Sequence, residues 1–145
     1  MLHTHSRIWV HIIWTTKYRQ PVIPKERGIV LFDFLIHKAK DIGIGFEKLN
    51  IQPEHVHGLI DLPTDRTVAD FMHDIKGSSS HMLNEDFFKS KFMWQRGYGA
   101  YSVSASRVNQ VINYIANQTE HHRHETPEEE YQRWKREYGI FDDKY

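Results

Sequence analysis

Hydrophobic residues recur along the chain with two different periods, and each change of period marks a predicted element. Residues 7–16, "RIWVHIIWTT", are rich in β-branched and aromatic side chains and predict a first strand. After the "RQPVIP" break, apolar residues at helical spacing predict a helix that stops at Gly43. Two further strands are predicted over residues 46–51 and 55–62. The apolar positions of the first helix are Leu31, Phe34, Leu35, Ala39 and Ile42.

The second half of the chain continues this alternation of helices and strands. Thr67 and Asp70 have the spacing of a helix-capping box and predict a second helix, which the segment "KGSSSH" should weaken. Residues 92–104, "FMWQRGYGAYSVS", are predicted to end as a strand, and Ser104 or Ser106 can cap a third helix. The apolar stripes of these two helices are Val68, Phe71, Met72 and Ile75, and then Val108, Val111, Ile112 and Ile115.

The tail carries one more predicted helix. In "TPEEEYQRWKREYGI", Pro127 suits the first helical position and Glu129 stands in capping-box register with Thr126, which predicts a surface helix. The order of elements is typical of an α+β protein whose antiparallel or mixed sheet is covered on one face. With no repeat or low-complexity tract, residues 1–145 are predicted to form a single domain, with residues 126–145 as its helical tail.

Composition and charge narrow the classes of function. Cysteine is absent, which excludes a disulfide framework and a thiolate zinc site. No stretch resembles a secretory leader or a membrane span, so a cytoplasmic protein without a membrane partner is expected. The net charge is zero, but residues 125–145 hold 7 acidic against 4 basic side chains and leave the first 124 residues at +3. This balance permits a nucleic-acid partner without predicting one.

Candidate chemistry begins in the segment "QPEHVHGLIDLP". Alternate residues of a strand point to the same face, so His55 and His57 project together while Val56 and Ile60 project from the other side. Two imidazoles on one face can ligate a metal ion, although such pairs also occur without one.

The third helix supplies a second candidate group. At about 100° per residue, Tyr114 and Gln118 lie one turn apart on a flank of the apolar stripe. Taken alone, the pair is more typical of a half-buried tyrosine with a polar neighbour than of an active site. If the helix met the strand, two histidines and a neutral oxygen could hold a divalent cation, and the tyrosine could attack a phosphate as a covalent nucleophile.

Five segments in series carry a resemblance to a known family. They are "IIWTTKYRQPV", "QPEHVHGLIDLP", "IKGSSSHML", "FMWQRGYGAYSVS" and "VINYIANQTEHH", and they extend from about Arg7 to His122. Together they resemble the single-tyrosine HUH transposases of small bacterial and archaeal insertion sequences, the TnpA type. The resemblance implies a ferredoxin-like or RRM-like antiparallel sheet with helices packed on one face.

The resemblance also implies roles for individual residues. His55, His57 and Gln118 match the family's metal ligands, and Tyr114 matches the nucleophile that becomes linked to the 5′ phosphate of the cut strand. Mg²⁺ or Mn²⁺ is the implied cofactor. The implied partner is single-stranded DNA with hairpins at the transposon ends. A homodimer is implied as well, in which the tyrosine helix of one subunit can complete the histidine pair of the other.

Residues in three further places are candidates for DNA contact. Aromatic and arginine side chains stack on unpaired bases and contact phosphate, but each of these places also has an ordinary structural explanation. Trp94, Arg96 and Tyr98 can equally belong to an aromatic loop that packs on its own core. Lys17 and Arg19 can form a solvated turn with Tyr18. Lys76 can simply lie at the end of a helix, before Gly77 and Ser78.

Other polar groups could extend the metal site. Glu54 can orient a neighbouring histidine as a hydrogen-bond acceptor, and Asp61 shares the strand face of His55. His121, His122 and His124 could form a zinc site with the histidine pair, or could simply favour a helix C-terminus.

A transposase with a covalent phosphotyrosine intermediate is therefore the leading hypothesis. A non-catalytic hairpin DNA- or RNA-binding module and a metal-dependent nuclease that activates water remain the alternatives.

Overall fold

Four antiparallel strands form a single sheet in the computed structural model, which describes residues 4–86, 91–118 and 125–137. The sheet has the order β2-β3-β1-β4, so β3 and β1 are its central strands. β1 pairs with β3 and with β4, and β2 pairs with β3. The strands are β1 (Trp9–Thr15), β2 (Phe46–Ile51), β3 (His55–Asp61) and β4 (Gly99–Val103).

Four helices accompany the strands in the part of the chain that the structure describes. The first two are α1 (Lys25–Asp41) and α2 (Val68–Asp86), and the other two are α3 (Val108–Ala116) and α4 (Pro127–Glu137). Short 3₁₀ turns lie at Lys17–Arg19 and Ala105–Arg107. The first six elements therefore follow the order β1-α1-β2-β3-α2-β4, which confirms the predicted antiparallel α+β fold. None of the helices in the described ranges is long and apolar enough to cross a membrane.

One face of the sheet carries the main hydrophobic core. Val56 and Ile60 point from β3 toward this face and pack with apolar residues of β1, α1 and α2. The helical contribution follows the predicted stripes, and burial of such stripes is the main source of stability in a domain of this size. The fully buried members include Leu31 and Leu35 of α1 and Met72 and Ile75 of α2.

The opposite face is covered by α3 over a smaller apolar cluster. Val111 and Ile115 of α3 pack on Leu59 of β3, with Trp9 and Val103 at the edge of the cluster. Helices therefore lie on both faces, whereas the sequence predicted coverage of one. The face under α3 is the one from which His55 and His57 project, because both have the same parity as Leu59.

Helix α2 does not weaken at its serines, contrary to expectation. Ser78 and Ser79 donate hydrogen bonds of 2.6 Å to the carbonyl oxygens of Asp74 and Ile75, one turn earlier. Their hydroxyls are thereby satisfied within the helix. Buried Leu83 anchors the last turns in the core. Tertiary burial thus outweighs the poor helix propensity of this segment.

Helix α4 begins as predicted but is not a plain surface helix. Thr126 Oγ1 accepts a hydrogen bond from the amide of Glu129 at 3.2 Å and donates one to the Glu129 carboxylate at 3.1 Å. Yet Glu130 is only 3% exposed and points toward the histidine pair. The prediction of a solvated helix is therefore wrong on this face of α4.

Candidate active site

His55 and His57 lie side by side on the central strand β3. Their ring centroids are 4.7 Å apart, and both side chains are buried. Strand alternation places them on the face covered by α3, while Val56 between them fills the main core. The two imidazoles therefore lie on one face of the strand, as predicted from strand alternation.

Each of the two histidines is held through its Nδ1 atom. His55 Nδ1 lies 2.7 Å from Glu54 Oε1, and His57 Nδ1 lies 3.1 Å from Nε2 of His11 on β1. The orienting contact that the sequence offered as one possibility for Glu54 is present. His11 was not predicted, because no local pattern distinguishes it from an ordinary buried strand residue. Both rings thus direct their Nε2 atoms toward α3 and α4.

Helix α3 and the residues just after its end bring Tyr114 and Gln118 to this pair within one chain. Gln118 Oε1 lies 3.3 Å from His55 Nε2, and the Gln118 amide donates a 3.3 Å hydrogen bond to the Tyr114 carbonyl. The Tyr114 ring packs edge-on against His57 with 5.8 Å between centroids. All four residues expected to form the site therefore meet at one place.

Glu130 of α4 is a site residue that the sequence analysis missed. Its Oε1 atom lies 3.8 Å from His57 Nε2 and 4.0 Å from His55 Nε2. Potential ligand atoms of the two histidines and Glu130 all lie within 4.8 Å of one another. In the sequence, Glu130 is one of three consecutive glutamates in "PEEEY", so nothing marks it as different from its neighbours. The one pattern that could have pointed to it is its position one helical turn before Arg133, on the same helix face.

The donor set suits a cation. A carboxylate accepts hydrogen bonds but does not donate them, so the 2.7 Å contact with Glu54 places a proton on His55 Nδ1. In neutral His55 the Nε2 lone pair then faces the Gln118 oxygen and the Glu130 carboxylate. A positive charge, either a proton or a metal ion, would satisfy such a convergence of acceptor atoms in a buried place.

The spacing of these atoms is close to that of the ligands of a divalent ion. In an octahedral site with ligands at about 2.1 Å, adjacent ligand atoms stand about 3.0 Å apart and opposite ones about 4.2 Å. The 3.3 Å contact of Gln118 is near the adjacent distance, whereas the 3.8 and 4.0 Å from Glu130 Oε1 to the two histidines are longer than adjacent ligands allow. The two histidines, Gln118 and Glu130 could hold such an ion once their ligand atoms move closer together.

The Tyr114 hydroxyl lies between a cation and an anion. It accepts a 3.0 Å hydrogen bond from Arg133 Nη2, whose guanidinium is also bound to Glu125. Burial, followed by a hydrogen bond to Glu130, raises the pKa of Tyr114 above its ordinary value, while Gln118 and Arg133 oppose this shift. Without a bound cation the phenol stays protonated at neutral pH.

Buried His11 carries no charge near neutral pH. Desolvation lowers the pKa of His11 to about 4, because its ring is enclosed by the sheet and by the histidine and tyrosine rings. A neutral imidazole keeps one nitrogen as an acceptor.

Two of the expected DNA contacts have other roles in the structure. Trp94 is 8% exposed, packs edge-on against Trp14 and Phe92, and donates to Ser79 Oγ, so it presents no free face to a base. The turn expected at Lys76 is wrong, because this residue lies inside α2. Its ammonium donates to the carbonyl oxygens of Gln95 and Gly97, each at 2.7 Å.

The other four expected DNA contacts share one surface. Lys17 and Arg19 follow β1, whereas Arg96 and Tyr98 precede β4. Three hydrogen bonds join the two segments: Lys17 N to Met93 O at 3.0 Å, Gln95 N to Thr15 O at 2.9 Å, and Tyr18 N to Gln95 Oε1 at 3.1 Å. Tyr18 and Tyr98 are 74% and 41% exposed there.

Asp61, a further metal ligand considered from the sequence, does not reach the site. Asp61 is bound at the other end of β3 by Arg7 at 2.7 Å and by the Ile8 amide at 3.0 Å. Asp61 therefore lies outside the candidate site. His121, His122 and His124 lie outside the described residues.

Comparison with known proteins relates most of this architecture to one family. Residues 4–118 match the family described as "Transposase IS200 like". The ISDra2 transposase TnpA of Deinococcus radiodurans is 29% identical over 114 residues, which cover 74% of this chain and 81% of that protein. The transposase for insertion sequence element IS200 of Salmonella typhimurium is 28% identical over 126 residues, covering 83% of this chain and 82% of that one.

Two solved structures share the fold. A crystal structure of a presumptive transposase from Deinococcus radiodurans R1 superposes with a TM-score of 0.66 at 27% identity, covering 81% of this chain and 95% of that one. A REP-associated tyrosine transposase bound to a REP hairpin superposes with a TM-score of 0.62, covering 84% and 74% of the two chains. Its 17% identity supports a common fold alone.

Proposed function

Because this chain belongs to the IS200-like transposase family, we propose that it cuts and rejoins single-stranded DNA through a covalent 5′-phosphotyrosine intermediate. The observation that carries this proposal is the meeting of Tyr114 and Gln118 with the buried pair His55 and His57. A purely structural tyrosine would not need two imidazoles, an amide oxygen and a carboxylate around it.

The metal site of the proposal consists of His55 Nε2, His57 Nε2 and Gln118 Oε1, with the Glu130 carboxylate beside them. A Mg²⁺ or Mn²⁺ ion bound there would polarise a phosphate oxygen as a Lewis acid. The buried negative charge of Glu130 offsets part of the cost of bringing a divalent cation out of water.

Tyr114 is the proposed nucleophile. Its Oη atom forms a bond to phosphorus while the bond from phosphorus to the 3′ oxygen breaks, and the 3′ oxygen leaves as a hydroxyl after taking up a proton. The phenolic proton passes to Glu130, with which Tyr114 already shares a hydrogen bond. Arg133 donates to Oη and stabilises negative charge that develops there.

The phosphotyrosine conserves the energy of the cut bond. Attack of a 3′ hydroxyl on the same phosphorus releases Tyr114 and joins two DNA ends, so one group serves cutting and rejoining. A water-activating nuclease would lose this bond energy. The presence of a tyrosine at the site favours strand transfer over hydrolysis.

Single-stranded DNA with hairpins at the ends of an insertion sequence is the proposed partner. The surface formed by Lys17, Arg19, Arg96 and Tyr98 offers three cations and an exposed ring, which suit phosphate contact and base stacking. The relative with a solved hairpin complex shares this fold. A homodimer is also proposed, in which exchange of α3 between subunits would preserve the same residue set.

A covalent-adduct assay tests the proposal. Labelled single-stranded DNA from the end of the chain's own element is mixed with the protein in Mg²⁺, Mn²⁺ or EDTA and resolved on a denaturing protein gel. We expect a metal-dependent shifted band that disappears in Tyr114→Phe and in His55→Ala. Tyr18→Phe serves as a control that also removes one phenol hydroxyl, from a side chain that is 74% exposed.

The alternatives predict different results in the same assay. Cleavage that leaves a free 5′ phosphate, with no shifted band and no loss in Tyr114→Phe, would identify a nuclease that uses water. Tight hairpin binding with neither cleavage nor adduct would identify a binding module. Either result would contradict the proposed transferase.

A further inference from the structure

His11 is a buried histidine that has no part in the chemistry proposed above. It is 1% exposed at the centre of β1, and its Nε2 atom lies 3.1 Å from Nδ1 of His57. In the sheet register His11 stands opposite Leu59, so it reaches His57 as a diagonal neighbour. The two rings overlap with 5.3 Å between centroids and 29° between planes.

For His11 Nε2 and His57 Nδ1 to form a hydrogen bond, one of the two nitrogens must carry a proton and the other must accept it. If His57 supplies it from Nδ1, its lone pair lies on Nε2 and faces His55 and Glu130. If His11 supplies it, the His57 proton moves to Nε2 and occupies the position that a metal ion needs. Only the first arrangement leaves His57 ready to ligate.

The neighbouring histidine is held in the matching way. His55 donates from Nδ1 to Glu54 at 2.7 Å and directs Nε2 toward the same place. A carboxylate fixes this proton position because it can only accept. His57 has a neutral imidazole in the equivalent position, which accepts a hydrogen bond without adding a second buried negative charge to the sheet.

We infer that His11 is a positioning residue, whose Nε2 accepts the Nδ1 proton of His57 and so fixes the His57 tautomer that binds the metal ion. The inference rests on the proposed function, since it assigns His57 as a ligand. Outer partners of this kind orient ligating histidines and raise their basicity, and their loss typically weakens metal binding about 10- to 100-fold.

Two substitutions distinguish the role of His11 as a hydrogen-bond acceptor from its role in packing. His11→Phe keeps an aromatic ring but removes the acceptor, whereas the carboxamide oxygen of His11→Gln can replace Nε2. By calorimetric titration with Mn²⁺, we expect His11→Phe to lose about 10- to 100-fold in affinity. We expect His11→Gln to stay within about threefold of the unchanged protein, since it keeps the acceptor.

Val10→Ala is the matched control for destabilisation. Val10 is the buried neighbour of His11 in β1, but it points to the opposite face of the sheet. This variant should lower the melting temperature without changing Mn²⁺ affinity. Nitrogen-15 NMR of the metal-free protein adds a readout of the tautomer itself. His57 should carry its proton on Nδ1 in the unchanged protein and in His11→Gln, and should shift toward Nε2 protonation in His11→Phe.

The outcomes distinguish this inference from the proposed function. Unchanged Mn²⁺ affinity in folded His11→Phe, or equal losses in the Phe and Gln variants, would overturn the role of His11. If His57→Ala nevertheless abolishes Mn²⁺ binding, the proposed metal site stands and only the role of His11 is wrong. If His57→Ala and His55→Ala both bind Mn²⁺ normally, the metal site of the proposed function fails. Should His11→Phe not fold, the NMR tautomer of the unchanged protein and the Gln variant decide the question.

Discussion

The two faces of the sheet are built from the same strands but have opposite character. One face packs apolar residues of α1 and α2 against β1 and β3, with Trp14 and Phe71 among its largest buried side chains. The other face buries His11, His55 and His57, together with Gln118 and Glu130 from the helices above. A single β3 residue, Val56, separates His55 from His57 and belongs to the first face.

This difference indicates how the fold keeps a polar cluster in place. Burying histidines and a carboxylate costs free energy unless they are paired, and the cluster pairs them with one another. The apolar face supplies the stability that allows this. Stability and metal chemistry should therefore respond to different substitutions, although they share the same strands.

The largest expected effect is on the apolar face. Phe71→Ala removes a ring that is 2% exposed and packs edge-on against Phe46, so it should lower the free energy of unfolding by about 3–5 kcal/mol. Denaturant titration measures this loss. The Mn²⁺ affinity of the molecules that remain folded should not change, and a parallel fall in affinity would show that the two faces are coupled.

The polar face should impose a pH dependence on the metal-free protein. The pKa of His11 is about 4 in the folded chain, against 6.5 for an unperturbed histidine, so above pH 6.5 both the folded and the unfolded chain are neutral at this position and stability is full. As the pH falls from 6.5 to about 4, only the unfolded chain takes up the proton, which should cost up to about 3 kcal/mol.

His11→Gln isolates that contribution. Other groups titrate over the same range in both proteins, so the difference between the two stability curves reports His11. Denaturant midpoints at several pH values between 7 and 4 should show the variant losing less stability than the unchanged protein, according to the linkage relation. Parallel curves would contradict the neutral state of His11.

The next effect concerns the rate rather than stability. Glu130→Gln keeps the shape of the side chain but removes the proposed proton acceptor, so adduct formation at neutral pH should slow by about a hundredfold. Glu130 also raises the pKa of Tyr114, so its removal makes the phenol easier to ionise. The variant should recover part of its rate as the pH rises toward 10, where hydroxide replaces the carboxylate as base.

A pH series of single-turnover rates provides the measurement, with Glu129→Gln as control. Glu129 is the adjacent carboxylate, but it is exposed and belongs to the helix cap. The Glu129→Gln substitution should leave the rate of adduct formation unchanged. A Glu130→Gln rate equally reduced at every pH would mean that the carboxylate acts on the metal ion or on packing rather than on the proton.

The residues found by sequence analysis are those that depend on short-range patterns. The β2 strand has its predicted bounds, and Gly43 takes the positive φ of 81° that suits a glycine after a helix. Tyr114 and Gln118 stand one turn apart as the helical period requires. His55 and His57 share a face because strand alternation places them there. Each of these results follows from neighbours a few residues away.

The residues missed depend on contacts between distant parts of the chain. His11 and His57 are 46 positions apart, and their contact follows from the antiparallel register of β1 and β3. Glu130 reaches the histidines only because α4 packs over α3, as the Arg133 to Tyr114 hydrogen bond shows. The continuity of α2 through its serines depends on burial of Leu83. Periodicity in the sequence does not contain these pairings.

The smallest effect predicted lies at the junction between the apolar face and the exposed loop. Lys76 of α2 donates to the carbonyl oxygens of Gln95 and Gly97, and burial lowers the pKa of its ammonium. Lys76→Met keeps most of the apolar stem but loses both hydrogen bonds, so unfolding should become easier by about 1 kcal/mol. Amide hydrogen exchange should rise over residues 95–98, because this contact ties the loop to α2.

The same variant tests whether this loop contacts DNA. Loosening of the segment that carries Arg96 and Tyr98 should weaken hairpin binding about threefold, while Mn²⁺ affinity stays the same, because the loop supplies none of the proposed metal ligands. Lys25→Met is a suitable control that also removes one cation, from the exposed start of α1. Equal weakening by both variants would reflect the loss of net charge alone, and would remove the ordered loop from the proposed DNA surface.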